Sequence, residues 1–331
     1  LMGQAIDVIR SKGHKITEEE ARSVTIAILL HDIGHGPFSH SLEHSLIRST
    51  PHEAISLMYM EQLNEIHGGE LQVAMDIFQN RYPKKFLHQL VSSQLDMDRL
   101  DYLKRDSFFT GVTEGVIGSD RIIKMLNVKD DQRVVDEKGI YSIEKFLIAR
   151  RLMYWQVYLH RTVVSSEQSL VMMLKRAQDL TAAGFELFAT PALQFFLEPA
   201  EEKFEPRNRN LFLEKFAALD DNDILTSAKV WCNNSDPVLS LLSDGLVNRT
   251  LLKVELDDGS FARERVQSLR KQVASHLNIT EKEAGYLVVS DSISNFAYSD
   301  MDDRITIMDK RGTTRDIAKA SDMLNISVLS K

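Results

Sequence analysis

Four histidines and one aspartate follow an apolar run in the stretch AILLHDIGHGPFSHSLEHS, residues 27–45. His31 and Asp32 are adjacent, and Gly34 and Gly36 follow them closely. Neighbouring residues of a helix point about 100° apart, so the glycines must end the helix here if the two side chains are to converge. Imidazole nitrogen and carboxylate oxygen together suit a borderline divalent ion such as iron, manganese, nickel or zinc. The pair therefore predicts a metal site that needs a further ligand from elsewhere in the chain.

The best donor of that ligand is SSQLDMDRLDYLKRDS, residues 92–107. On a helix, Asp98 and Tyr102 share one face, and Arg99, Tyr102 and Asp106 lie at i, i+3 and i+7. This segment offers one carboxylate to a metal, a cation and a phenol to phosphates, and a second carboxylate to a hydroxyl. Such a mixture is what a nucleotide polyphosphate needs.

Helices are predicted over most of the chain before residue 247. Thr17 and Glu20 form a capping box, and the helix after them, to about Ile33, is apolar nearly all round, so we expect it to be central and buried. A hairpin is predicted in QRVVDEKGIYSI, with its turn at residues 137–139, and one long helical pattern follows it over residues 143–180. Residues 198–210 are polar and predict an exposed connection.

The pattern changes near residue 247. Residues 250–256 and 286–292 are typical of strands, residues 260–277 of a helix, and residues 304–317 of two strands with a turn at 309–312. The predicted domains are a helical domain, 1–246, and a small α+β module, 247–331.

Composition sets the broad class of protein. The 331 residues are 43% hydrophobic and 27% charged, with a net charge of −8. These values favour a globular protein. We expect no membrane partner, because no apolar stretch approaches the roughly 20 residues that span a bilayer, and the lack of a basic tail argues against nucleic acid as a partner. A single cysteine, Cys232, excludes an internal disulfide and favours the cytoplasm.

Three motifs together resemble the HD-domain phosphohydrolases: HDIGHGPFSH at 31–40, HE at 52–53 and DMDRLDYLKRDS at 96–107. Within that family the chain is most similar to the deoxynucleoside triphosphate (dNTP) triphosphohydrolases, and ARRLMYWQVYLHR at 149–161 resembles a later segment of them. The resemblance implies a mainly helical fold and a divalent metal (manganese, iron, nickel, zinc or magnesium). It also implies attack of water on the α-phosphorus, which releases the deoxynucleoside and intact triphosphate.

The resemblance also assigns roles to individual residues. The implied metal ligands are His31, Asp32 and Asp98. The implied catalytic residues are His35 and His52, which flank the reacting phosphate, and Glu43, which orients one of them. The implied substrate-binding residues are His40, Arg99, Tyr102, Asp106, Arg150 and Tyr158. Among these, Asp106 would accept from the sugar 3′-hydroxyl, and Tyr158 would pack where a 2′-hydroxyl would collide.

One part of the family pattern has no match here. The family's first metal-binding histidine stands upstream of the His-Asp pair, and His14 lacks the glycine that should follow it. We expect that ligand before Leu1. Relatives assemble as dimers or tetramers with regulatory nucleotides, so the resemblance implies a homo-oligomer. Two alternatives stay open: a phosphohydrolase of nucleoside monophosphates or of a signalling nucleotide, and a non-catalytic nucleotide sensor.

Overall fold

The computed structural model describes residues 1–39, 45–47, 50–199, 208–257, 259–292, 298 and 303–322. The described chain is mainly helical. The first half contains α1 (Met2–Ser11), α2 (Glu18–Leu30), α3 (His52–Ile66), α4 (Gln72–Phe78), α5 (Lys85–Val91), α6 (Met97–Thr110), α7 (Ser119–Met125), β1 (Leu126–Lys129), β2 (Gln132–Asp136) and α8 (Ile140–Met153). The second half contains α9 (Arg161–Ala182), α10 (Pro191–Leu197), α11 (Arg209–Ala217), α12 (Asp221–Trp231), α13 (Pro237–Val247), α14 (Arg263–Leu277), α15 (Glu281–Ala284), β3 (Thr306–Met308), β4 (Thr314–Asp316) and α16 (Ile317–Ala320).

Two compact units divide the chain, and the first combines Leu1–Ile33, Tyr59–His160 and the described residues of Ser294–Lys331. Its core is built from apolar side chains of the helices and of the sheet, among them Ile9, Val24, Leu100, Phe146 and Ile307. The predicted capping box is confirmed, because Thr17 Oγ1 accepts from the Glu20 amide and the Glu20 carboxylate accepts from the Thr17 amide.

The second unit combines the described residues of Gly34–Met58 and Arg161–Ile293. Its core includes Phe196, Phe212, Trp231 and Leu239. The guanidinium of Arg176 on α9 binds the carboxylates of Asp236, which caps α13, and of Glu283 on α15. Several helices of this unit are therefore joined through one cation.

A four-stranded sheet belongs to the first unit. β1 and β2 are antiparallel, with Leu126 opposite Val135, and β3 and β4 are antiparallel, with Ile307 opposite Arg315. Between these two hairpins β2 runs parallel to β3, and Val135 pairs with Ile307. Two hairpins about 170 residues apart in the chain therefore form a single sheet.

Several predicted elements are wrong. The described residues of 250–256 and 286–292 contain no strand. The hairpin turn lies at Asp130 and Asp131, which both have positive φ, and residues 137–139 form instead a short 3₁₀ turn before α8. The sequence pattern missed this turn because two adjacent aspartates adopt the left-handed conformation less readily than glycine.

Two helical predictions also need correction. α2 is not buried all round, because Leu29 is 73% exposed. The long helical pattern after residue 140 is interrupted by a π-helical turn, Tyr154–Tyr158, between α8 and α9. The strands predicted within residues 304–317 and the helix predicted within residues 260–277 are confirmed.

The predicted domain boundary between residues 246 and 247 stays a prediction. None of the described helices has both the length and the apolar character needed to cross a bilayer.

Candidate active site

Three predicted metal ligands of the first unit converge. His31, Asp32 and Asp98 each offer a ligand atom, and these atoms all lie within 4.8 Å of one another. Nε2 of His31 is 3.4 Å from Oδ2 of Asp32 and 3.9 Å from Oδ2 of Asp98. The set provides one nitrogen and two carboxylate oxygens, the donor mixture predicted from the sequence.

Two helix ends position these ligands. His31 is the first residue after α2, and Asp32 follows it in a turn, so the two side chains leave the regular helix together. Asp98 lies in the first turn of α6, where the positive end of the helix dipole favours a carboxylate. Asp96 caps that helix through the Arg99 amide, at 2.7 Å, and so fixes the direction in which the first turn starts.

The residues fit a divalent ion. Nδ1 of His31 lies 2.7 Å from the carbonyl oxygen of Ile28, which places the proton on Nδ1 and leaves Nε2 to face the carboxylates. Burial lowers the pKa of His31, but the hydrogen bond with Asp98 and the charge of Asp32 outweigh it and raise the pKa above its usual value. The two carboxylates thus attract a positive charge at this point, and three protein ligands leave positions for water or substrate.

A second cluster of the first unit contains three predicted substrate-binding residues. The hydroxyl of Tyr158 donates to Oδ2 of Asp106 at 2.6 Å, and the rings of Tyr158 and Tyr102 meet edge to face with centroids 6.3 Å apart. Burial and the bond to Asp106 raise the pKa of Tyr158. Burial also raises the pKa of Tyr102 to about 12, although the positive charges of Arg150 and Arg99 act to lower it. Both phenols therefore keep their protons and act as hydrogen-bond donors.

Tyr158 reaches this cluster from the π-helical turn. A π-turn inserts extra backbone into a helix and is frequent at functional sites. Tyr154, at the start of the same turn, packs edge to face on Tyr158 with centroids 5.2 Å apart. The turn thus directs two rings of one segment towards α6.

The two predicted phosphate-binding arginines lie beside these rings. Arg150 is buried, and its guanidinium lies 5.8 Å from the centroid of Tyr154. Nη1 of Arg99 binds Oδ2 of Asp96 at 2.5 Å. Burial lowers the pKa of Arg99, but the carboxylate of Asp96 outweighs it and keeps the group cationic.

The predicted catalytic histidines of the second unit are stacked. The rings of His35 and His52 have centroids 3.9 Å apart and are inclined by 18°. His52 opens α3, and Gly34 precedes His35. The Gly34 amide donates to Oγ of Ser56 at 2.9 Å, and a Cβ at Gly34 would lie only 2.1 Å from the carbonyl oxygen of His52. Only glycine permits this approach of the turn to α3.

Two predicted residues, His40 and Glu43, lie outside the described residues. The prediction that Glu43 orients a histidine is therefore untested. Sequence reasoning gave no role to Glu53, whose Oε1 lies 3.4 Å from Nε2 of His52. The position of Glu53 directly after His52 in the HE motif is the sequence feature that could have indicated this contact. His14, which lacked the expected glycine, contacts Oδ1 of Asn127 at 2.7 Å.

The chain is similar to several known proteins. A family model described as the HD associated region matches residues 117–187. The chain resembles a solved phosphohydrolase structure from Bacteroides thetaiotaomicron with 55% identity and a TM-score of 0.92, over 100% of this chain and 82% of that one.

Curated relatives extend the similarity. The uncharacterized protein YwfO of Bacillus subtilis is 32% identical over 302 residues, which are 87% of this chain and 65% of the relative. A deoxynucleoside triphosphate triphosphohydrolase SAMHD1 homologue of Dictyostelium discoideum is 31% identical over 186 residues, 50% of this chain and 36% of that protein. The chain thus spans less than two thirds of the length of either relative.

Proposed function

Because the chain belongs to the HD-domain phosphohydrolases, we propose that it is a metal-dependent enzyme that hydrolyses dNTPs to deoxynucleoside and triphosphate. The observation that carries this proposal is the convergence of His31, Asp32 and Asp98. A divalent ion held by these residues would polarise a phosphate oxygen and activate water.

The cluster around Tyr158 supports a deoxyribose substrate. Asp106 already accepts a hydrogen bond from the Tyr158 hydroxyl at 2.6 Å, and a sugar 3′-hydroxyl is a donor of the same kind. The Tyr158 ring would occupy the space that a 2′-hydroxyl requires. The carboxylate and the ring together therefore favour deoxyribose over ribose.

Cationic and phenolic groups support a polyphosphate. Arg99 and Arg150 would neutralise the phosphates, and Tyr102, which keeps its proton, would donate a hydrogen bond to them. We assign to the stacked histidines His35 and His52 the role of protonating the leaving oxygen. The substrate-contact role of His40 and the orienting role of Glu43 remain part of the proposal.

Assembly and location complete the proposal. We propose a homo-oligomer with a regulatory nucleotide, in the cytoplasm. Phe108 and Phe109 at the end of α6 are each 80% exposed in the single chain, and another copy would bury such a pair. Light scattering coupled to size-exclusion chromatography, with and without dNTPs, measures the assembly directly.

The test of the activity is product analysis with each dNTP and Mn²⁺. We expect equal amounts of deoxynucleoside and inorganic triphosphate, and no product after treatment with a chelator. Orthophosphate from nucleoside monophosphates or from a signalling nucleotide would identify a different phosphohydrolase. Binding of dNTPs without turnover would identify a nucleotide sensor.

A further inference from the structure

A cavity of about 340 Å³ lies in the first unit, beside β2 and the start of β3. Its lining shares no residue with the His31–Asp32–Asp98 cluster. The lining combines two cations, one carboxylate, two amides and a hydroxyl, contributed by Arg133, Arg304, Asp303, Gln89, Gln132 and Thr306. The two arginines and the aspartate among the described lining residues therefore sum to a net charge of plus one.

Arg133 is the unusual member of this wall. Its side chain is only 1% exposed, and none of its three guanidinium nitrogens has a hydrogen-bond partner among the described residues. Burial lowers the pKa of Arg133 to about 10, although the charges of Asp96 and Asp303 oppose this shift. The group is therefore a cation at neutral pH, in a place where an unpaired cation is strongly unfavourable.

Neighbouring groups of the described chain do not supply a hydrogen-bond partner for this guanidinium. Asp96 uses its oxygens for the Arg99 side chain and for the amides of Arg99 and Ser93. Gln89 and Gln132 are joined to each other at 2.9 Å, and Gln89 also accepts from the Arg133 amide. The Arg133 amide is thus held by Gln89. The Arg133 guanidinium makes no hydrogen bond within the described chain, so a ligand can bind it without breaking one.

We propose that this cavity binds an oxyanion of the phosphate class, with Arg133 as the principal ligand and Arg304 at its mouth. A guanidinium pairs with two oxygens of a tetrahedral anion in a planar fork. Binding requires the Arg133 side chain, which lines the cavity, to rotate so that this fork faces the anion, and the bound anion then neutralises the buried charge. The site does not depend on the proposed function.

The test is a titration of the chelator-treated protein with inorganic phosphate, followed by thermal unfolding at constant ionic strength. We expect the Tm of the wild type to rise with phosphate and to saturate. Arg133→Met should remove the saturable rise that Arg150→Gln retains, and Arg304→Gln should weaken the apparent affinity by about tenfold or more. Any general stabilisation by phosphate as a salt affects all variants equally.

Two controls separate this site from the proposed active site and from a structural role of Arg133. Arg150→Gln, which removes a proposed phosphate contact of the active site and leaves the cavity intact, should keep the saturable phosphate-dependent rise. Arg133→Met should unfold in phosphate-free buffer at a Tm no lower than that of the wild type, because an unpaired buried cation has been removed. The proposal is overturned if the wild type shows no saturable rise, if Arg133→Met or Arg304→Gln titrates like the wild type, or if Arg133→Met fails to fold.

Discussion

Asp98 and Asp101 lie one turn apart on α6 and have different surroundings. Asp98 faces Nε2 of His31 at 3.9 Å, whereas Asp101 is half-exposed and binds the side chain of Arg105 at 2.7 Å on the helix surface. The two aspartates thus form a matched pair for testing the metal site with the same substitution.

Asp98→Ala should remove bound metal, while Asp101→Ala should retain it. The first substitution deletes a proposed ligand, and even the loss of groups that only orient ligands weakens metal affinity by about 10- to 100-fold. His31→Ala should behave like Asp98→Ala. Elemental analysis after dialysis measures the metal content, and equal occupancy in wild type and Asp98→Ala would show that the assignment is wrong.

Asp106→Ala should reduce kcat/KM for dNTPs by roughly ten- to a hundred-fold, because a hydrogen bond to a charged group contributes about 1.5–3 kcal/mol. Tyr158→Phe should reduce kcat/KM for dNTPs less than Asp106→Ala does, because the ring that excludes a 2′-hydroxyl remains. Tyr141→Phe makes the same change at an exposed tyrosine and should have no effect. Steady-state rates with paired dNTPs and rNTPs measure the choice of sugar. Similar turnover of ATP and dATP by the wild type would contradict the proposed preference for deoxyribose.

At the scale of elements, the turn after α2 has to approach the start of α3 closely. Gly34 makes this approach possible, because an added Cβ would lie 2.1 Å from the carbonyl oxygen of His52 and 2.4 Å from the amide of Ser56. Both neighbours are backbone atoms of one helix and cannot move separately. The neighbouring His35 depends on this approach for its stacking on His52.

Gly34→Ala should lower the free energy of unfolding by about 1–3 kcal/mol, the usual cost of overpacking, and should also reduce turnover. Gly3→Ala is the control: a Cβ there meets open space on the exposed side of α1, and alanine in a helix favours stability by up to about 1 kcal/mol. Chemical denaturation and activity are measured on both variants. A Gly34→Ala protein as stable and active as the wild type would disprove the role of this contact.

At the scale of the whole chain, β3 joins two distant parts of the sequence. Ile307 is fully buried, pairs with Val135 of β2 and belongs to the same apolar core as α1 and α6. The first unit therefore includes a segment that the sequence pattern assigned to a separate C-terminal module.

Ile307→Ala should destabilise the first unit by about 2–5 kcal/mol, the range for removing a large buried aliphatic side chain. Thr314→Ala on the exposed edge strand β4 should change stability by no more than about 0.5 kcal/mol. Limited proteolysis locates the effect: cleavage of Ile307→Ala should become faster within residues 59–160. Faster cleavage confined to residues 247–331 would support an independent C-terminal module instead.

Local sequence determined much of this protein. The capping box at Thr17, the end of α2 (expected at about Ile33 and observed at Leu30) and the helical phase of α6 all follow from residues within one or two turns of each other, because helix geometry relates near neighbours directly. The helical phase placed Asp98 on one face with Tyr102, and the family resemblance assigned Asp98 to the metal cluster. The helices needed only local spacing, whereas the ligand roles came from the resemblance.

Only the tertiary structure decided the rest. The pairing of β2 with β3, the burial of Arg133 and the stacking of His35 on His52 join residues that local patterns do not connect. Residues 250–256 are typical of a strand, yet they form none, because a strand exists only where a partner edge is available to satisfy its backbone groups. Which edges meet depends on the packing of the whole chain, and no short stretch of sequence contains that information.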